Sequence, residues 1–220
     1  MKLHYVPLAL AITMCLYACE GSKNESPNEK IDSSKIEKMP VAGVDTSTHS
    51  MPDSATFIQK RKEFSTPGDM HNLLEKLNGT WTSEVQTWMD ESAPPAKAKA
   101  TNIQTSSFGG RYFNTKFNSS MMGQPFEGAS VTGYDNAKKK FVSVSYNNMG
   151  TGLVHMEGDY DETNKTFSWN GTQTDFLTGK NTSIREVMVI KDDNTYTMTM
   201  YGPGADGKEM KFMEGTFTKK

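Results

Sequence analysis

From Gly79 to the C-terminus, short runs rich in Thr, Val, Phe, Tyr and Ser recur between clusters of Gly, Asn, Asp and Lys. Ten of these runs are predicted as strands, at about 79–89, 98–107, 111–120, 125–134, 140–147, 151–160, 165–174, 181–190, 195–201 and 208–218. Within several of them, apolar and polar residues swap at every step. Tyr196, Met198 and Met200 share one face of the ninth run, against Thr195, Thr197 and Thr199 on the other. Ile184, Met188 and Ile190 share a face of the eighth run, and Met210 and Phe212 a face of the last. The opposite positions are mostly Thr, Ser and Lys. One dry face and one wet face predict an all-β, antiparallel up-and-down barrel of about ten strands. A barrel of this size has an interior either filled by side chains or able to hold one small ligand.

Two hairpins repeat one design. Tyr134-Asp135 and Phe141 bracket the turn NAKKK, and Tyr160-Asp161 and Phe167 bracket ETNKT. An Asp opening a turn bonds the backbone just ahead of it. Asp159, Asp161 and Glu162 sit near the second turn, but the Gly and distal Glu of a calcium loop are missing.

Ahead of the strands the period changes. Met70, Leu73, Leu74 and Leu77 fall at i, i+3, i+4 and i+7, the stripe of one short N-terminal helix. Thr66 as cap, Pro67 at the first helical position and Asp69 in the first turn start it, and Asn78-Gly79 end it. So short a helix must pack on something, and one mouth of the barrel is the expected place.

The first residues carry a different signal. Lys2 and His4 precede an apolar run from Val6 to Ala18, too short to span a bilayer comfortably. This is the form of a secretory signal peptide, residues 1–18. Its end, Leu16-Tyr17-Ala18-Cys19, resembles the bacterial lipobox, although Tyr17 is bulkier than usual there. The resemblance implies a diacylglycerol on the Cys19 thiol and cleavage before Cys19. The membrane is then a partner through the lipid anchor, and the location is the bacterial cell envelope. Glu20 stands where an inner-membrane retention Asp would stand, which favours the outer membrane. Residues 19–65 are polar, of mixed charge, and free of aromatics until Phe57, Ile58 and Phe64 mark the approach to structure. Most of this stretch cannot bury enough apolar surface to offset its ordering entropy, so it is expected to be a disordered tether. As a flexible coil it would span on the order of 40 Å. The domain proper is expected at 66–220.

Composition narrows the chemistry. A formal charge of −2 over 220 residues offers no electrostatic footprint for nucleic acid. Both cysteines, Cys15 and Cys19, lie at the N-terminus, so the barrel has no thiol. Its two histidines, His71 and His155, are too few for a three-histidine zinc site. No nucleophile elbow or phosphate loop occurs. No catalytic set, metal or cofactor is therefore expected, and protein partners stay open.

Residues spread along the domain carry a family resemblance. They are Leu77-Asn78-Gly79-Thr80-Trp81, Gly109-Gly110-Arg111, Phe126-Glu127-Gly128 with Gly133-Tyr134-Asp135, Met149-Gly150-Thr151, Asp175 with Thr178-Gly179-Lys180, Arg185, and Asp206 through Glu214. From Leu74 to Lys220 the chain resembles DUF1579, a bacterial family of unknown function among the lipocalin-like (calycin) barrels. The resemblance implies that fold and no activity. Gly79-Thr80-Trp81 also matches the Gly-x-Trp signature of lipocalins, in which the Trp closes one end and stacks on a late basic residue. Arg185 or Lys211 would be that residue here.

Charges within strands complete the candidates. Glu186 shares parity with Ile184 and Met188, and Glu214 with Met210 and Phe212. A buried carboxylate is costly unless paired. Arg111 and Arg185 are available as partners, or one of them could hold the carboxylate or polar head of a bound apolar molecule. Parity sets Arg185 opposite Glu186 unless a bulge intervenes. Glu127 and Tyr146 are further polar candidates. The expected ligand-binding set is Trp81, Arg111, Glu127, Tyr146, Arg185 and Glu214, serving a small apolar or amphipathic molecule. The alternative is a structural or interaction module of the envelope with no small ligand. The abundance of methionine from Gly79 onward suits an adaptable cavity and plain core filling equally.

Overall fold

The computed structural model describes residues 50–220 apart from Glu91, Met122 and Ala205. The signal segment 1–18, Cys19 and the tether as far as residue 49 lie outside the described residues.

Ten strands follow one another: β1 (Gly79–Thr87), β2 (Ala96–Ser107), β3 (Tyr112–Met121), β4 (Gln124–Asp135), β5 (Lys140–Asn147), β6 (Val154–Asp161), β7 (Thr166–Thr174), β8 (Asn181–Asp192), β9 (Thr195–Pro203) and β10 (Glu209–Lys219). Each pairs antiparallel with the next, and β1 pairs with β10, closing the barrel. Closure leaves no open sheet edge.

The repeated hairpin design builds the closed end. Asp135 accepts from the backbone N–H of Ala137 and Lys138, and Asp161 from those of Thr163 and Asn164. Lys139 and Lys165 complete the two turns in the left-handed region, at φ 57° and 51°. Each turn pairs its Tyr with its Phe across the strands, Tyr134 with Phe141 at 4.9 Å between ring centres and Tyr160 with Phe167 at 4.6 Å. Phe141 also meets Phe167 edge-on at 5.0 Å. Together with Phe113 and Phe217 these rings form an aromatic floor, and Phe113, Phe141 and Phe167 are fully buried.

The expected N-terminal helix is present as α2 (Asp69–Glu75), inserting Leu74 into this floor. It starts two residues later than the Thr66 cap implies. Gly68 is the N-cap, and its N–H donates to His71 Nδ1 at 3.2 Å, a bond Thr66 would not make. Thr66 instead ends an earlier helix, its hydroxyl donating to the Lys62 carbonyl.

That earlier helix corrects the tether. Residues Ser54–Ser65 form α1, capped by Asp53, which accepts from the N–H of Ala55 and Thr56. None of its residues is buried. Its end is held by one side chain of the β4–β5 turn: the Asn136 amide donates to the carbonyls of Glu63, Phe64 and Thr66. The ends of helices leave carbonyls free for such capture.

Candidate functional site

The barrel is hollow above its floor. Its cavity has a volume of about 360 Å³, within the range of small-molecule sites. The floor and α2 close it below through Leu74, Leu77 and Trp81. Inward side chains divide its wall into two chemistries. On β2 to β5 they are mainly amides and hydroxyls: Asn102, Gln104, Thr115, Ser119, Ser130, Thr132, Ser143, Ser145 and Asn147. On β6 to β10 they are mainly apolar: Val154, Met156, Trp169, Ile184, Met188, Met198, Met200, Phe212 and Met213.

Two glycines make the packing possible. The Trp169 indole lies over Gly158, where an added Cβ would stand 2.7 Å from the ring. Phe117 lies over Gly128 in the same way, at 2.2 Å. A side chain at either position would push its ring into the cavity.

The one charged side chain lining the cavity, among the described residues, is Glu186. Cross-strand neighbours Trp169 on β7 and Met200 on β9 flank it. The residue is half-buried with its carboxyl in the cavity, and burial pushes its pKa up to about 7. The other titratable lining residue is Tyr196. Its ring sits between Trp81 at 4.8 Å and Phe217 at 4.9 Å, and its hydroxyl accepts from the Asn102 amide at 3.1 Å. Burial, and then the Glu186 charge, raise its pKa. His71 is buried below, edge-on to Tyr134; burial first, then the charge of Arg111, lower its pKa.

Of the six expected ligand residues, only Trp81 lines the cavity. Its Nε1–H donates to the Leu77 carbonyl at 2.8 Å, fixing the ring as part of the closed end. Its basic neighbour is Lys219, 5.2 Å from the ring centre, and not Arg185 or Lys211. Arg185 faces outward, as its parity with Glu186 required. It makes a two-pronged ion pair with Glu209, at 2.8 and 2.6 Å, and stacks on Tyr201. Glu214 also faces outward. A β-bulge between Lys211 and Met213 reverses the parity of β10, so Phe212 and Met213 both reach the cavity while Glu214 turns away. Glu214 instead accepts from Lys211, which stacks on Trp88.

The remaining three also lie outside. Arg111 is exposed on the β2–β3 turn, donating to the Phe108 carbonyl. Glu127 and Tyr146 flank a shallow groove on the outer face of β4 and β5. No arginine therefore reaches the interior to hold a ligand carboxylate. His155 is exposed on the outer face of β6. Among the described residues, no three His, Cys, Asp or Glu side chains gather as a metal site.

A closed ten-stranded barrel with a small-molecule-sized interior defines a protein of the lipocalin-like class. The chain belongs to the DUF1579 family, described as proteins of unknown function, whose model matches residues 66–219. Among solved structures it resembles Rv2717c from M. tuberculosis, with a TM-score of 0.55 and 10% identity over 70% of this chain and 99% of that one. It also resembles the S-type phycobiliprotein lyase CPES from Guillardia theta, with a TM-score of 0.52 and 11% identity over 73% and 96%. At such identities the likeness is one of fold. A search of curated proteins finds no match.

Proposed function

We propose that this chain is a lipid-anchored protein of the bacterial envelope whose barrel holds a small apolar or amphipathic molecule. The observation that carries the binding role is the cavity of about 360 Å³, with an apolar wall opposite a hydroxyl- and amide-bearing one. A filled barrel needs no such division, whereas a bound amphiphile uses both walls. The methionines of β8 to β10 supply flexible, polarizable contacts that adapt to ligand shape. Among the described residues, the ionisable side chains of the lining are Glu186 and Tyr196. The anchor rests on Leu16-Tyr17-Ala18-Cys19.

A second reading, an envelope interaction module, draws support from the β7–β8 loop, where Phe176 and Leu177 are 92% and 80% exposed. Native mass spectrometry of the full chain, gently extracted from its own membranes, separates the two. An extra mass that is lost on denaturation is the expected result. Bare protein in repeated preparations would favour the module. Palmitate labelling that persists in the Cys19→Ser variant would refute the anchor.

A further inference from the structure

The charge inside the barrel has one sign. Glu186 is aimed into the cavity from β8, and among the described residues no lysine, arginine or histidine lines the space with it. Among the described residues its carboxyl has neither a hydrogen-bond donor nor an ion-pair partner. Three cations of β8 and β10 are committed on the outer face or at the closed end. Arg185 is held by Glu209, Lys211 by Glu214, and Lys219 by the Lys76 carbonyl and the Trp81 ring. Among the described residues, the groups facing Glu186 from β7, β9 and across the cavity include no charge and one titratable residue, Tyr196, whose hydroxyl already accepts from Asn102. A carboxyl left alone in a low-dielectric interior is a cost that a counter-charge would relieve.

We propose that the cavity takes a small organic cation, an apolar molecule bearing a basic amine, with its ammonium on Glu186 and its apolar body along the methionine wall. This rests on the reading of the barrel as a small-molecule binder. The surroundings fit an ammonium ion. Trp169, in register with Glu186 and lining the cavity, offers a ring face that attracts a cation. Met188, Met198 and Met200 line the adjacent wall for an alkyl or ring body. The hydroxyls and amides of β2 to β5 supply acceptors for the remaining N–H groups. An anionic amphiphile such as a fatty acid meets no cation here and is repelled by the ionised Glu186.

The test is calorimetric titration of the full chain with octylamine, octanol and octanoate, which share a tail and differ in head group. A charge-assisted bond in a buried site should favour octylamine over octanol by about ten-fold to a hundred-fold, with octanoate weakest. Glu186→Gln should remove that preference, so that octylamine binds no more tightly than octanol to the variant. In the wild type, octylamine should bind roughly ten-fold more weakly at pH 6 than at pH 8, because Glu186 takes up a proton while the alkylamine stays charged. This pH dependence keeps the test intact even if the variant does not fold. Octanol or octanoate binding as tightly as octylamine, or a Glu186→Gln variant that retains the amine preference, would overturn the proposal and leave the binding role standing. If none of the three binds, the small-molecule reading falls as well.

Discussion

The two halves of the barrel wall are built from the same element, an antiparallel strand with side chains alternating in and out, yet they place opposite chemistries inside. On β8 and β9 the large apolar residues Met188, Met198 and Met200 face in, while Thr197 and Thr199 face out beside the half-buried Val187 and Val189. On β4 and β5 the alternation is inverted. Ser130, Thr132, Ser143 and Ser145 face the cavity, while Val131, Val144 and Tyr146 face outward, exposed by 43%, 37% and 53%. A period of two states which residues share a face. It does not state which face is inside, because that depends on what the interior holds. A filled core would reward burying the valines. The inverted half leaves hydroxyl groups where a packed core would place valines, which is what the proposed binding role uses.

The contrast can be broken most forcefully from the apolar half. Phe167→Ala removes a fully buried ring that contacts Phe141, Tyr160 and Trp169, and should cost about 3–5 kcal/mol in urea unfolding. A cost near 1 kcal/mol would mean that the floor is not the stabilising half.

Glu186 gives the next largest effect, with the opposite sign. Its folded-state pKa of about 7 lies above the ordinary 4.5. Between those values the folded chain holds a proton that the unfolded chain has released. Stability therefore falls as pH rises through this window, by about 3 kcal/mol in all, and the loss is complete above it. Glu186→Gln should flatten that slope and make the protein more stable than wild type at pH 8, as thermal melts across pH would register.

On the hydroxyl half, Ser143→Ala breaks the 3.0 Å contact between the Ser143 and Thr132 hydroxyls. It should cost about 1 kcal/mol or less in the same urea experiment, since the Thr132 hydroxyl lines the open cavity rather than a packed core. The smallest effect belongs to the outer face. Arg185→Ala removes a partly exposed ion pair, worth about 1 kcal/mol or less, and should leave octylamine affinity unchanged. A large drop in affinity would place Arg185 in the site after all.

All ten strands were legible in the sequence, because turn chemistry and period two are local properties. The repeated Tyr-Asp…Phe hairpins were legible for the same reason, and they became the floor. Parity grouped Glu186 with Ile184 and Met188 and set Arg185 on the opposite face, but it left open which of the two points inward, and Arg185 rather than Glu186 entered the expected ligand-binding set. It failed for Glu214, because the bulge at Lys211–Met213 carries no residue signature and a single extra residue reverses everything after it. Arg111, Glu127 and Tyr146 were drawn in as polar or aromatic residues within or beside strands, but which face closes inward is decided by the whole sheet. Helix α1 was hidden because it buries nothing: Asp53 caps it and Asn136 holds its end, and neither leaves an apolar stripe. The hydroxyl wall was the hardest to see, since inward Ser and Thr read as surface until the cavity is known.

The central claim is that the methionine wall faces a ligand. It is tested most directly by methyl-labelled methionine NMR of the full chain during an octylamine titration, with assignments from single Met→Leu variants. The account predicts that the methyls of Met188, Met198, Met200 and Met213 shift together and saturably, while that of exposed Met89 stays in place. Cavity methyls that remain still at saturating amine, or a shift confined to Met89, would contradict it.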